Sequence, residues 1–190
     1  ADPVYRYYLE ERPEKRSFAP VDVRPSVAQA AMIGNPVSMP RVIELAERYN
    51  QLAGEKRVHV VRVTEQEIMD SMITANKNGN IACTQGGESL AGLQRAVNDG
   101  IISSDMIGIV DSTAHMLKFA GFQEKYFEDS FEPDFEVTPD QNLKNAPMQL
   151  NREDHGPLPQ PGSPLKGKEM EQFVAHMAEK IAEMLHLAPK

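Results

Sequence analysis

The chain has no apolar run long enough to cross a bilayer. About 18 consecutive apolar residues are needed, and the charged residues of this 190-residue sequence interrupt every stretch well before that. The beginning of the sequence also lacks the apolar core of a secretory leader. Basic charge is scarce: Lys and Arg number 20 against 28 Asp and Glu, for a net charge of -8. A phosphate backbone is held by a basic surface, so a nucleic-acid partner is not expected. Cys83 is the only cysteine. That excludes an intramolecular disulfide and a cysteine metal cluster, and it fits a reducing, cytoplasmic setting. No His, Asp, Glu and Cys spacing suggests a metal site. No Gly-x-Ser-x-Gly nucleophile elbow is present, and there is no internal repeat.

What remains is enough for a folded domain. Hydrophobic residues make up 41% of the chain, and the length suits one core. Ser26 to Ile33 reads as a short helix, with Ser26 as its N-cap and Gly34 as its stop. Asn35-Pro36 then turns the chain. Val42, Ile43, Leu45, Ala46, Tyr49 and Leu52 recur at helical spacing, with Ser38 and Pro40 at the start and Gly54 at the end. Val58 to Val63 reads as a strand. Thr64-Glu65-Gln66-Glu67 is a capping box ahead of the apolar face Ile68, Met69, Met72 and Ile73. Ile81 to Thr84 is short and apolar, and Gln85-Gly86-Gly87 opens a helix through Leu90, Leu93 and Val97 to Asp99-Gly100. Met106 to Val110 is a β-branched run. Alternating strands and helices predict right-handed crossovers and a parallel sheet flanked by helices, an α/β fold.

Beyond Phe122 the pattern changes. Residues 124–134 are acidic and aromatic without a clear period. Residues 151–167 hold Pro157, Pro159, Pro161 and Pro164 and read as a linker. Residues 168–187 read as an amphipathic helix whose face carries Met170, Phe173, Val174, Met177, Ile181, Met184 and Leu185, either packing on its own domain or binding a partner. The expected organisation is an α/β domain over 1–150, a linker over 151–167, and a helix over 168–187 that packs on the domain.

The stretch with the most chemistry is Asp111-Ser112-Thr113-Ala114-His115, directly after the Met106 to Val110 run. Two hydroxyls and an imidazole follow the carboxyl end of an expected parallel strand, the edge where ligands sit in open α/β sheets. The alternative is that Ser112 and Thr113 only cap the following turn. His115 has the same two readings, a partner of the turn or a proton shuttle. Gly86-Gly87 at a helix start either offers its N–H groups to an anion or packs a helix tightly onto its neighbour. Cys83 reads as a small buried hydrophobe.

The segment Asp111-Ser112-Thr113-Ala114-His115-Met116-Leu117-Lys118-Phe119 resembles the Ser-Thr-Ala-His-Gly-Leu-Lys-Phe segment of plant-type threonine synthases. These are enzymes of the pyridoxal 5'-phosphate (PLP) fold type II class, built like the tryptophan synthase beta subunit. Met116 stands where the family has glycine. Three further stretches match in the same order. Ala1-Asp2-Pro3-Val4-Tyr5 is similar to Ala-(Asn/Asp)-Pro-Leu-Tyr. Ala30-Ala31-Met32-Ile33-Gly34-Asn35-Pro36-Val37-Ser38 is similar to Ala-Ile-Gln-Ile-Gly-(Asp/Asn)-Pro-Val-Ser. Val63-Thr64-Glu65-Gln66-Glu67-Ile68-Met69-Asp70 is similar to Ala-Thr-Glu-Glu-Glu-Leu-Met-Asp. Where the family has Cys-Pro-His-Thr-Gly, this chain has Cys83-Thr84-Gln85-Gly86-Gly87.

The resemblance implies a PLP-dependent elimination and hydration of O-phospho-L-homoserine to L-threonine and phosphate. It implies that Thr113, with Ser112 beside it, meets the pyridine nitrogen, and that Gly34 and Asn35 belong to the cofactor wall. The family's Schiff-base lysine follows Ser-Phe and precedes Asp. No lysine here sits in that pattern, and the glycine-asparagine phosphate loop is missing too. The chain is therefore expected to be the carboxyl-terminal part of the enzyme, inactive without its upstream half. The expected partners are that half, an amino-acid phosphate substrate and a second copy in a homodimer. Related readings are a cysteate synthase, an amino-acid dehydratase, or a non-catalytic binding module of the same fold.

Overall fold

A computed structural model describes residues 1–103, 105–144 and 158–187. They fall into two compact units, one within Ala1–Asn145 and one within Ala146–Lys190.

The first unit is built around two helices. Helix α3 (Glu65–Lys77) starts at the predicted capping box: the Thr64 hydroxyl accepts from Glu67 N at 3.2 Å, and the Glu67 carboxylate accepts from Thr64 N at 2.7 Å. Its inner face buries Ile68, Met69, Ser71, Met72 and Ile73. Helix α4 (Thr84–Asn98) lies against it. The closest approach is at Gly87, where a Cβ would stand 2.5 Å from the Ile68 carbonyl oxygen and 2.8 Å from the Met72 Cβ. Ser71 Oγ donates to Gln94 Oε1 at 3.0 Å, and Arg95 pairs with Glu67. Helix α1 (Pro3–Leu9) and helix α2 (Met39–Ala53) complete the amino-terminal half. Gly54 closes α2 in the left-handed conformation at φ 70, as its position after the apolar stripe predicts. Of that stripe only Ala46 is buried, while Val42, Leu45, Tyr49 and Leu52 are exposed.

The acidic, aromatic segment becomes the cover of the core. Helix α5 (Ala120–Glu128) contributes Phe122 and Tyr126 to a cluster with Val27, Ala28, Ile68, Met69, Met72 and Ile73. Phe131 stacks on Phe122 at 6.3 Å between centroids, and Phe135 meets the same ring edge-on at 5.7 Å. No period was legible there because a nine-residue helix is followed at once by a single turn at Pro133–Phe135. The helix expected over Ser26 to Ile33 shrinks to one turn at Gln29–Ala31. Ser26 Oγ accepts from Ala28 N at 3.1 Å and donates to Glu65, so it closes a local turn and does not cap a helix.

The expected parallel sheet is not there. The described residues hold helices and turns, with no β-ladder, so the α/β expectation is corrected to a helical unit. Residues 58–63 and 106–110 carry no strand pairing. The first is tied down by Asn50 of α2, whose Oδ1 accepts from Arg57 N and Val58 N at 2.7 and 2.8 Å. In the second, Ile107 and Ile109 are 94% and 96% exposed. The reason is physical: an alternating or β-branched run states that a segment suits a pleated surface, but a strand exists only where a neighbour takes its N–H and C=O groups.

The second unit contains an antiparallel bridge between Gln160 and Ser163 and helix α6 (Lys168–Met184), which begins at Gly167 in the left-handed region at φ 56. α6 spans residues 168–184 of the segment expected to be helical over 168–187. Residues 151–157 of the expected linker lie outside the described residues.

Candidate functional site

The elbow that carries Ser112 and Thr113 rests on the first turn of α4. Cys83, the residue before that helix, has extended backbone (φ -86, ψ -177) and a fully buried side chain. Its thiol donates to the Thr113 carbonyl oxygen across 2.8 Å. One turn further in, Gly86 lies under Ser112: a Cβ at Gly86 would stand 2.8 Å from Ser112 Oγ and 3.2 Å from the Ala82 Cβ. A side chain at Gly86 would displace the Ser112 hydroxyl and press on Ala82, because the elbow passes over the helix.

Gln85 sits between these two contacts and is 7% exposed. Its Oε1 accepts from Thr84 Oγ1 at 3.3 Å and lies 3.2 Å from the Cys83 sulfur. Its amide nitrogen is buried with no acceptor. Buried donors without partners are rare in folded chains. The first turn of α4 also has no side-chain cap.

Beyond the elbow, Ala114 takes the left-handed conformation at φ 62. The imidazole of His115 then accepts from Leu117 N at 3.2 Å and caps the short turn Met116–Phe119. That settles two alternatives from the sequence. His115 is the structural partner of the turn. The hydroxyls of Ser112 and Thr113 do not cap it; both residues are exposed, and neither hydroxyl has a partner among the described residues. Gly86 and Gly87 serve close packing, since each would clash if given a side chain.

Gly34 and Asn35 lie at the turn that leads into α2. Gly34 packs on the loop before it: a Cβ there would fall 2.0 Å from the Val21 carbonyl oxygen, and Val21 N donates to Gly34 O at 3.0 Å. Asn35 is exposed at the turn before α2. No hydrogen bond among the described residues connects either to the elbow.

A separate cavity of about 850 Å³ opens beside residues 60–63, between Glu65 of α3 and Glu88 and Gly92 of α4. The Glu65 carboxylate accepts from Ser26 Oγ at 3.1 Å and from Val27 N at 2.7 Å. Burial, with the Glu65 charge adding to it, pushes the Glu88 carboxyl above the usual carboxylate range. Sequence reasoning missed this pair and the Cys83 contact alike. Nothing in periodicity or spacing joins position 83 to 113, or 65 to 88.

Over 119 residues, 63% of its length, the chain is 32% identical to a protein of Arabidopsis thaliana described as threonine synthase 2, chloroplastic. Over that stretch the chain is similar to a threonine synthase. It spans 21% of the length of that relative. No family model matches it. No helix among the described residues is long and apolar enough to cross a membrane, and no group of three or more His, Cys, Asp or Glu among them is placed to hold a metal ion.

Proposed function

We propose that this chain is part of a PLP-dependent threonine synthase, converting O-phospho-L-homoserine and water to L-threonine and phosphate. The observation that carries this reading is the 32% identity over 119 residues, far more than one short motif supplies. The residues present fit the cofactor. Ser112 and Thr113 offer two exposed hydroxyls with no hydrogen-bond partner among the described residues.

When bound, PLP supplies an electron sink for the carbanions of elimination and hydration. The chain's own part is to hold the ring. Thr113 would donate its hydroxyl to the ring nitrogen, with Ser112 as the neighbouring donor, and Gly34 and Asn35 would belong to the wall. A hydroxyl does not hold a full positive charge on that nitrogen as a carboxylate does. A hydroxyl partner would leave the ring a milder electron sink, and sink strength is one way such a site would choose among reactions. None of the lysines here follows Ser-Phe and precedes Asp, so the lysine that carries the cofactor comes from outside these 190 residues.

The test is an assay of the complete gene product with O-phosphohomoserine. Threonine and phosphate appearing in equal amounts support the proposal. Turnover of phosphoserine or threonine without phosphohomoserine activity would replace it with a cysteate synthase or a dehydratase. A complete gene product without PLP binding would make the chain a non-catalytic module.

A further inference from the structure

We infer that the start of α4 is a positioning platform for the cofactor contact, with Cys83 and Gly86 as its working residues; this rests on the reading of Thr113 as the ring-nitrogen partner. The elbow is a poor support for itself. Ile107 and Ile109 before it are almost fully exposed, and Ala114 after it is held at φ 62, which an L side chain rarely adopts. The His115 cap is local to the turn that follows. What ties Ser112 and Thr113 to the rest of the unit comes from α4: the Cys83 thiol on the Thr113 carbonyl, and Gly86 flush beneath Ser112.

The thiol has one proton and two acceptors in range. Thr113 O at 2.8 Å is nearer than Gln85 Oε1 at 3.2 Å, so the proton goes to the elbow. Held there, the Thr113 carbonyl faces α4, which fixes the orientation of the peptide that carries the Thr113 hydroxyl. Gly86 sets the height of Ser112 in the same way. Cys83 therefore acts on the cofactor through Thr113 and not by contact.

The experiment compares the complete gene product and its Cys83→Ala, Cys83→Ser and Thr113→Val variants for PLP affinity, read from the cofactor's absorbance, and for apoprotein stability in urea. The expected result is a Kd for PLP raised roughly tenfold by Cys83→Ala, the size of one lost hydrogen bond, with Cys83→Ser restoring it and the apoprotein midpoint little changed. A second pair keeps the test open if Cys83→Ala does not fold. Gly86→Ala should weaken PLP binding by pushing the Ser112 hydroxyl, while Gly86→Ala combined with Ser112→Ala should bind as Ser112→Ala alone does. If Thr113→Val loses affinity while Cys83→Ala and Gly86→Ala do not, the platform is refuted and the elbow reading stands. If none of the variants changes affinity, the elbow reading falls and the platform falls with it.

Discussion

Tyr126 on α5 donates its hydroxyl proton to Asp70 on α3 at 2.6 Å, and the same oxygen accepts from Asp140 N at 2.9 Å. One phenol thus joins two helices and the loop that covers them. Tyr126→Phe leaves the ring packing intact and removes both bonds. The expected loss is about 1–3 kcal/mol, because the Asp70 carboxylate and the Asp140 N–H each lose a partner. Urea denaturation at pH 7 measures it.

The same residue predicts an alkaline limit. Burial first, and then the bond to Asp70, raise the Tyr126 phenol above its ordinary 10.0. The folded state therefore keeps a proton that the unfolded chain gives up. Stability from this group is complete below pH 10 and falls as pH rises beyond it. Tyr126→Phe should be less sensitive than the parent chain between pH 9 and 11. Equal slopes for the two proteins would refute the assignment.

Glu88 gives a slope of the same sign in the acid range. Its carboxyl is raised chiefly by burial and secondarily by Glu65, so the folded state prefers the protonated form. The favourable contribution is present at pH below the ordinary carboxylate value and is lost as pH rises through the raised one. Glu88→Gln should stabilise the chain at pH 7 and have little effect near pH 4. Thermal melts at the two pH values decide this, and a variant less stable than the parent at pH 7 would show that Glu88 has an unseen partner.

Gly87→Ala tests the seam between α3 and α4. A methyl group there meets backbone at 2.5 Å, where a flexible side chain cannot yield. Destabilisation of about 1–3 kcal/mol is expected from overpacking, whereas helix propensity alone would favour alanine by about 1 kcal/mol. The sign of the change in Tm separates the two effects.

For PLP, the 190-residue chain on its own should bind weakly or not at all. One hydroxyl hydrogen bond contributes about 0.5–1.5 kcal/mol, and micromolar affinity needs about 8. Titration with PLP should give no stoichiometric band that borohydride traps. A trapped adduct on Lys118 or another lysine of this chain would place the cofactor lysine within it. In the complete protein, Thr113→Val should lose tight PLP binding; if Ser112→Ala does so and Thr113→Val does not, the role belongs to Ser112.

The sequence by itself determined what is local. The Thr64–Glu67 box, the Gly54 stop and the extents of α2, α3, α4 and α6 were legible, because caps and helical period are decided within one turn of the chain. It also singled out Ser112 and Thr113 through a short motif. Tertiary structure decided everything that depends on a distant neighbour. Residues 58–63 and 106–110 have strand-like sequences but no pairing, since a ladder needs a second segment to accept its bonds. Cys83 is the small buried residue its sequence context suggested, and the fold adds that Thr113 O, thirty positions along the chain, lies 2.8 Å from its sulfur. Glu65 read as part of a cap until Glu88 was placed beside it. Composition and period carry no information about which residues of two separate helices and a loop will meet; close packing of α3 on α4 settles that.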